Sequence, residues 1–143
     1  TAQEALKAVK GVRAALEVID SRYRDFRFEL ADVVADNASS CRFVVGPTRT
    51  LEELAADGLA LDALGVKLVI DGKVVHEATS AAILGDPAES LAALANMLAT
   101  VGEHLSAGMV VLAGAATPAV HLETGMNVRA EVEGLGSASL TVR

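Results

Sequence analysis

Asp71-Gly72 stands between two strand-like runs, Leu64 to Ile70 and Lys73 to His76. That pair tolerates the positive φ angles of a type I′ turn, so the two runs are predicted to fold back as an antiparallel hairpin. A second reversal, Glu133-Gly134-Leu135-Gly136, separates Val128–Val132 from Ser137–Val142, and it predicts a second hairpin at the end of the chain. A fold containing both is rich in antiparallel sheet.

The remaining segments supply helices and further strands. Ala2 to Val9 has amphipathic spacing, with Ala5, Leu6 and Val9 on one side and Gln3, Lys7 and Lys10 on the other; Gly11 is expected to stop it. Val12 to Ile19 alternates like a strand, setting Arg13, Ala15, Glu17 and Ile19 on one face and Val12, Ala14, Leu16 and Val18 on the other. Asp25 to Asp36 has helical spacing with Phe28, Ala31, Val34 and Ala35 along one side, and the polar cluster Asp36-Asn37-Ala38-Ser39-Ser40 ends it in a loop. Cys41 to Val45 is a short strand stopped by Gly46-Pro47.

Further on, Thr50 and Glu53 have capping-box spacing for a helical turn to Ala56. Asp86-Pro87-Ala88-Glu89 opens a longer helix to about Val101, whose apolar face carries Leu91, Leu94, Ala95 and Leu98. Met109 to Gly114 is expected to be a buried strand. No repeat or linker divides the chain. The expectation is one α+β domain over residues 1–143, strand-rich, with two or three packed helices.

Composition excludes several classes of function. The formal charge is 12 − 19 = −7, which argues against nucleic acid as a partner. A single cysteine, Cys41, excludes an intrachain disulfide and a cysteine-based zinc site; as a free cysteine it is expected in the core. His76, His104 and His121 show no ligand spacing. No basic segment precedes an apolar core at the start, and the most apolar run, Ala107 to Val120, is too short and too rich in Gly and Thr to span a bilayer. These features point to a cytoplasmic protein without membrane association. At 52% hydrophobic, the chain either lacks an N-terminal part or is covered by partner subunits.

Chemistry concentrates between Ala14 and Gly46. Glu17 lies among Leu16, Val18 and Ile19, and a carboxylate in such surroundings is costly to desolvate unless a cation or metal faces it. Equally, its face can be solvent, or it can pair with Arg13 or Arg22. Arg22, Arg24, Arg27 and Arg42 are suited to clamping a dianion, or to ordinary pairing with Asp20, Asp25 and Glu29. Asn37, Ser39 and Ser40 offer short donors and acceptors in a loop, a composition that helix termination also explains. Gly114-Ala115-Ala116-Thr117-Pro118 is either an anion-binding turn or a plain reversal. Lys67 reads as an outward-facing strand residue. No catalytic triad, phosphate loop or histidine metal motif is present.

Several of these segments together resemble one family. Leu16-Glu17-Val18-Ile19-Asp20-Ser21-Arg22 and Val34-Ala35-Asp36-Asn37-Ala38-Ser39-Ser40 are similar to the 2-keto-4-pentenoate hydratase / 4-oxalocrotonate decarboxylase family of the fumarylacetoacetate hydrolase superfamily. So are Ala82-Ile83-Leu84-Gly85-Asp86-Pro87, Leu94-Ala95-Asn96, Ala107-Gly108-Met109, Gly114-Ala115-Ala116-Thr117 and Gly134-Leu135-Gly136-Ser137. The likeness runs over nearly the whole chain. Arg22-Tyr23-Arg24-Asp25-Phe26-Arg27-Phe28 and Cys41-Arg42-Phe43 look more like the decarboxylase branch, because hydratases tend to carry glycine where Cys41 stands. Asp86 departs from the histidine expected before Pro87.

The resemblance covers only the C-terminal part of that family's chains. It implies a strand-rich sheet roll and metal-dependent decarboxylation of 2-oxo-3-hexenedioate to 2-hydroxypenta-2,4-dienoate in aromatic meta-cleavage catabolism. Its alternatives are the 2-hydroxypenta-2,4-dienoate hydratase reaction and a non-catalytic partner subunit. The family's Mg²⁺ or Mn²⁺ is held by three carboxylates. Glu17 matches the third, and a Glu-x-Glu pair further upstream supplies the others, so these residues alone are expected to lack a complete site. Ser39, with Asn37 nearby, Thr117 and Arg42 are the implied contacts to a 2-oxo acid substrate. The general acid or base is unassigned. The resemblance also implies a homo-oligomer able to associate with the sequential hydratase.

Overall fold

The computed structural model describes residues 1–143. Strand β1 (Ala15–Ile19) pairs with β2 (Ser40–Val45) as a two-stranded ribbon. Strands β3 (Gly65–Ile70), β4 (Lys73–Thr79), β5 (Asn127–Val132) and β6 (Gly136–Thr141) form a four-stranded sheet in the order β4-β3-β5-β6. All pairings are antiparallel. Helices α1 (Ala2–Leu6), α2 (Leu30–Ala35), α3 (Leu51–Ala56) and α4 (Pro87–Thr100) complete a strand-rich α+β fold.

Local chemistry explains most boundaries. Asp71 and Gly72 both take positive φ, 48° and 79°, and bring Ile70 opposite Lys73, as the hairpin signal requires. Asp71 Oδ1 also accepts from the Asn127 backbone N–H at 3.0 Å, tying the turn to β5. Thr50 and Glu53 form a reciprocal capping box on α3. On α4, the Asp86 carboxylate accepts from the Ala88 N–H at 2.7 Å with Pro87 in the first turn, so aspartate is a competent cap here.

The ribbon packs against β5 and β6, and the core lies where they meet. Ala14, Leu54, Leu64, Leu135 and Ala138 are buried together, with Val12, Val44, Leu59, Leu61 and Val132 packed around them. At Gly46 the chain passes so close to β6 that a Cβ would lie 2.5 Å from the Ser137 carbonyl oxygen. Arg49 fastens the same end of the molecule, donating to the Gly134 carbonyl and to Asp57, both at 2.8 Å.

Four expectations are corrected. The helix foreseen over Asp25–Asp36 is only Leu30–Ala35, because Asp25 and Phe26 are left-handed (φ 57° and 53°) and break it. Its apolar side is uncovered: Phe28, Ala31, Val34 and Ala35 are all exposed. The N-terminal helix stops at Leu6, well before Gly11. Met109–Gly114 is neither a strand nor buried: Met109 and Val110 are more than half exposed, and the segment pairs with neither sheet. Ser90 tethers it to α4, its hydroxyl donating to the Ala113 carbonyl. Lastly, Cys41 is exposed, for a reason in the β1–β2 register given below.

Only 14 of 143 residues are buried, and the accessible surface is 9449 Å². A compact chain of this size exposes about 7,000 Å². The difference is made of side chains such as Leu30, Val34, Leu84, Met97 and Val101, each at least 65% exposed.

Candidate functional site

Glu17 sits at the middle of β1 with its side chain on an exposed face. Across the ribbon it lies opposite Phe43, while Val18 faces Arg42 and Ile19 faces Ser40. Cys41 is therefore the extra residue of a β-bulge, with no partner opposite it. The bulge has a geometric consequence. In a regular strand Ser40 and Phe43 point to opposite faces, whereas the extra residue turns both onto the face of Glu17. The Ser40 hydroxyl then donates to Glu17 Oε1 at 3.1 Å. Oε2 accepts no hydrogen bond from the protein. The unpaired position of Cys41 also leaves its thiol facing outward.

Beside this pair is a buried carboxylate that the sequence presented only as part of a loop. The Asp36 side chain is 1% exposed. It accepts from the Ser39 hydroxyl at 2.9 Å, from the Ser21 hydroxyl at 3.4 Å and from the Arg22 backbone N–H at 3.3 Å. Its Oδ1 also lies 3.2 Å from Arg22 Nη1. Burial works against the charge, but the Ser39 hydroxyl, the Arg22 N–H and the Arg22 guanidinium outweigh it, so the carboxyl is held below its usual range. Tyr23 goes the other way: burial, reinforced by the charges of Asp32 and Asp36, raises its phenol above the ordinary value.

Between Asp36 and Ser40 the backbone makes a left-handed turn, with φ of 51° at Asn37, 53° at Ala38 and 59° at Ser39. Left-handed conformation costs a side-chain-bearing residue on the order of 1–2 kcal/mol, and asparagine tolerates it best. Ala38 has no side-chain compensation, so the surroundings must hold it. Three hydrogen bonds do so: Ser39 N–H to the Asp36 carbonyl at 3.0 Å, Asp20 N–H to the Ser39 carbonyl at 2.8 Å, and the Ser39 hydroxyl to Asp36.

Of the residues singled out from the sequence, the fold brings Glu17 and the Asn37–Ser40 loop together. Ser39 is buried with its hydroxyl engaged by Asp36. Asn37 is exposed and lines an open concavity of about 260 Å³ with Arg22, Tyr23, Ala35 and Asp36. Arg42, opposite Val18, belongs to the other face of the ribbon from Glu17. Thr117 lies half-buried in the irregular segment before β5 and hydrogen-bonds to none of these residues. Arg22 acts as a staple: its guanidinium donates to the Asp36 carbonyl at 2.9 Å and to the Ser40 carbonyl at 3.1 Å, besides pairing with Asp36. Arg24, Arg27 and Arg42 form no ion pair and stay exposed. Sequence reasoning missed Asp36 as an individual and named Ser40 only as a loop donor, not as the partner of Glu17. The available signal for Asp36 was its i, i+3 spacing to Ser39 between two apolar segments.

An exposed carboxylate with one free oxygen is hard-oxygen chemistry and fits as one ligand to a small divalent cation. No group of three or more His, Cys, Asp or Glu is gathered closely enough to hold a metal ion. Glu17 thus offers one donor, and these residues do not complete a coordination sphere.

The fold is that of a fumarylacetoacetate hydrolase-type protein. Residues 1–143 match the family described as fumarylacetoacetate (FAA) hydrolase, C-terminal, and the chain belongs to that family. It is 51% identical over 141 residues to 4-oxalocrotonate decarboxylase of a Pseudomonas species, covering 99% of this chain and 53% of the relative. It is 41% identical over 128 residues to 2-keto-4-pentenoate hydratase of Burkholderia vietnamiensis strain G4, covering 90% of this chain and 47% of the relative.

The solved 4-oxalocrotonate decarboxylase from Pseudomonas putida G7, complexed with magnesium and adipate, superposes with a TM-score of 0.91 at 42% identity, over 99% of this chain and 52% of that one. The complex with calcium and acetate gives 0.88 at 41%. The chain spans about half the length of the relatives it matches.

Proposed function

We propose that this chain is the C-terminal part of a 4-oxalocrotonate decarboxylase and that Glu17 is one of its metal ligands. The observation that carries this reading is the free Oε2 of a carboxylate fixed by Ser40, in a domain 51% identical to a decarboxylase. The reaction breaks the bond between the distal carboxylate and its methylene carbon, releasing CO₂. The electron pair moves through the conjugated alkene to the 2-oxo oxygen, which takes a proton to give 2-hydroxypenta-2,4-dienoate. A bound Mg²⁺ or Mn²⁺ supplies stabilisation of the charge that develops on that oxygen.

The chain's own contribution is to hold one ligand in place and to shape the rim beside it. Glu17 presents its free oxygen on the exposed face of the ribbon. Asn37, at the concavity beside Arg22, and Thr117 are the proposed substrate contacts. Ser39 acts from within the turn, and Arg42 supplies positive charge at the far face of the ribbon. The remaining ligands and the proton-transfer group belong to the rest of a longer chain.

The second reading is the hydratase, favoured by 41% identity to the Burkholderia enzyme. Full-length protein assayed with Mg²⁺ decides between them. Release of CO₂ from 4-oxalocrotonate without water addition to the dienoate supports the decarboxylase, and the converse pattern supports the hydratase. Normal Mg²⁺ binding with turnover of neither substrate assigns a non-catalytic subunit.

A further inference from the structure

We propose that Asp36 is a positioning residue for Glu17, acting through Ser40; the proposal rests on the reading of Glu17 as a metal ligand. A helix terminus needs only a single capping bond from such a side chain. Asp36 instead gathers donors from Ser21, Arg22 and Ser39, which lie on two segments flanking the ribbon. Arg22 extends the network to the Ser40 carbonyl at 3.1 Å.

The backbone of Ser40 is thereby gripped from both sides: the left-handed turn precedes it, and the guanidinium holds its carbonyl. With the Cys41 bulge setting its face, the Ser40 hydroxyl falls on Glu17 Oε1 at 3.1 Å. A glutamate on an open strand face otherwise has three side-chain torsions free. One hydrogen bond to a fixed hydroxyl removes most of that freedom and leaves Oε2 aimed outward. Groups that orient a metal ligand without touching the metal typically change affinity by about 10- to 100-fold when removed.

The test is Mg²⁺ titration calorimetry on the full-length protein. Ser40→Ala and Asp36→Asn are each expected to weaken Mg²⁺ binding about 10-fold. The double variant is expected to lose no more than either alone, because both cut one path; independent effects would multiply to about 100-fold. Ser40→Thr, which keeps the hydroxyl, is expected to retain affinity within about 3-fold, a rescue that a merely structural role does not predict. Should Asp36→Asn fail to fold, Arg22→Lys keeps the charge and loses the fork to the Ser40 carbonyl, and it is expected to weaken binding several-fold.

Wild-type affinity in Asp36→Asn, or multiplicative losses in the double variant, overturns the positioning role. Glu17→Gln separates this from failure of the underlying reading. If that variant binds Mg²⁺ normally, Glu17 is no ligand and the metal reading falls. If it loses binding while Asp36→Asn does not, only the positioning role falls.

Discussion

Arg22 directs its guanidinium at Asp36 twice, lying 3.2 Å from the carboxylate and donating to the main-chain carbonyl of the same residue at 2.9 Å. Burial opposes the charge, but the Ser39 hydroxyl and the Arg22 N–H, with the guanidinium beside the carboxylate, keep the Asp36 carboxyl below its ordinary value of 3.8 in the folded protein. A carboxyl depressed by folding contributes stability above its unfolded pKa and loses it as pH falls through the lower folded value. The stability from Asp36 is therefore full above about pH 4 and disappears in more acid solution. Thermal midpoints measured from pH 7 down to pH 2 should show a shallower acid decline in Asp36→Asn than in the wild type. Superimposable acid limbs would show that the Arg22–Asp36 network is not formed in solution.

Gly46 separates two kinds of glycine requirement. Its own φ is not in the left-handed region, yet a Cβ there meets the Ser137 carbonyl at 2.5 Å. Gly72 has open space around it but a φ of 79°. Gly46→Ala must push the ribbon off the four-stranded sheet and is expected to cost about 1–3 kcal/mol. Gly72→Ala costs about 1 kcal/mol through backbone strain alone. Urea denaturation of the two variants checks the order. Gly46→Ala is also expected to disturb Mg²⁺ binding, because β2 carries Ser40, whereas Gly72→Ala leaves it unchanged.

The Asp86 cap gives a prediction remote from the site. Asp86→Ala removes the acceptor for the Ala88 N–H, and caps of this kind contribute about 1 kcal/mol. Asp86→Ser keeps a capping oxygen and should recover most of that loss. Denaturant midpoints that do not distinguish the two would show that Pro87 alone starts α4.

Signals that depend on neighbours in sequence were legible in advance. Asp71-Gly72, the Thr50–Glu53 box and the Asp86-Pro87 start each act over a few residues, and each forms as expected. Apolar periodicity fared worse where the answer depended on a distant partner. It marked Met109–Gly114 and the Phe28–Val34 side for burial, but a strand needs an available edge and a helix face needs something to lie against. Neither is present at those places among residues 1–143. The bulge at Cys41 was equally hidden. It is a property of two strands in register, and it decides that Ser40 shares the face of Glu17; Arg42, next to Phe43, falls on the other face by plain alternation.

Arg42 consequently serves as an internal control for the metal reading. It lies on the opposite face of the ribbon, within two residues of Ser40 in sequence. Arg42→Ala should leave Mg²⁺ affinity within about 3-fold of the wild type, since it removes neither a ligand nor a group that orients one. A loss comparable to that of Ser40→Ala would mean that affinity follows ribbon integrity or overall charge and not the Ser40–Glu17 bond.

Glu17 is the proposed metal ligand, and one titration tests it directly. Full-length Glu17→Gln keeps the shape of the side chain and the Ser40 hydrogen bond but removes the anionic oxygen offered to a divalent cation. Calorimetry with Mg²⁺ should show binding weakened by about 100-fold or more, with the circular dichroism spectrum unchanged. Wild-type Mg²⁺ affinity in a folded Glu17→Gln protein would contradict the assignment.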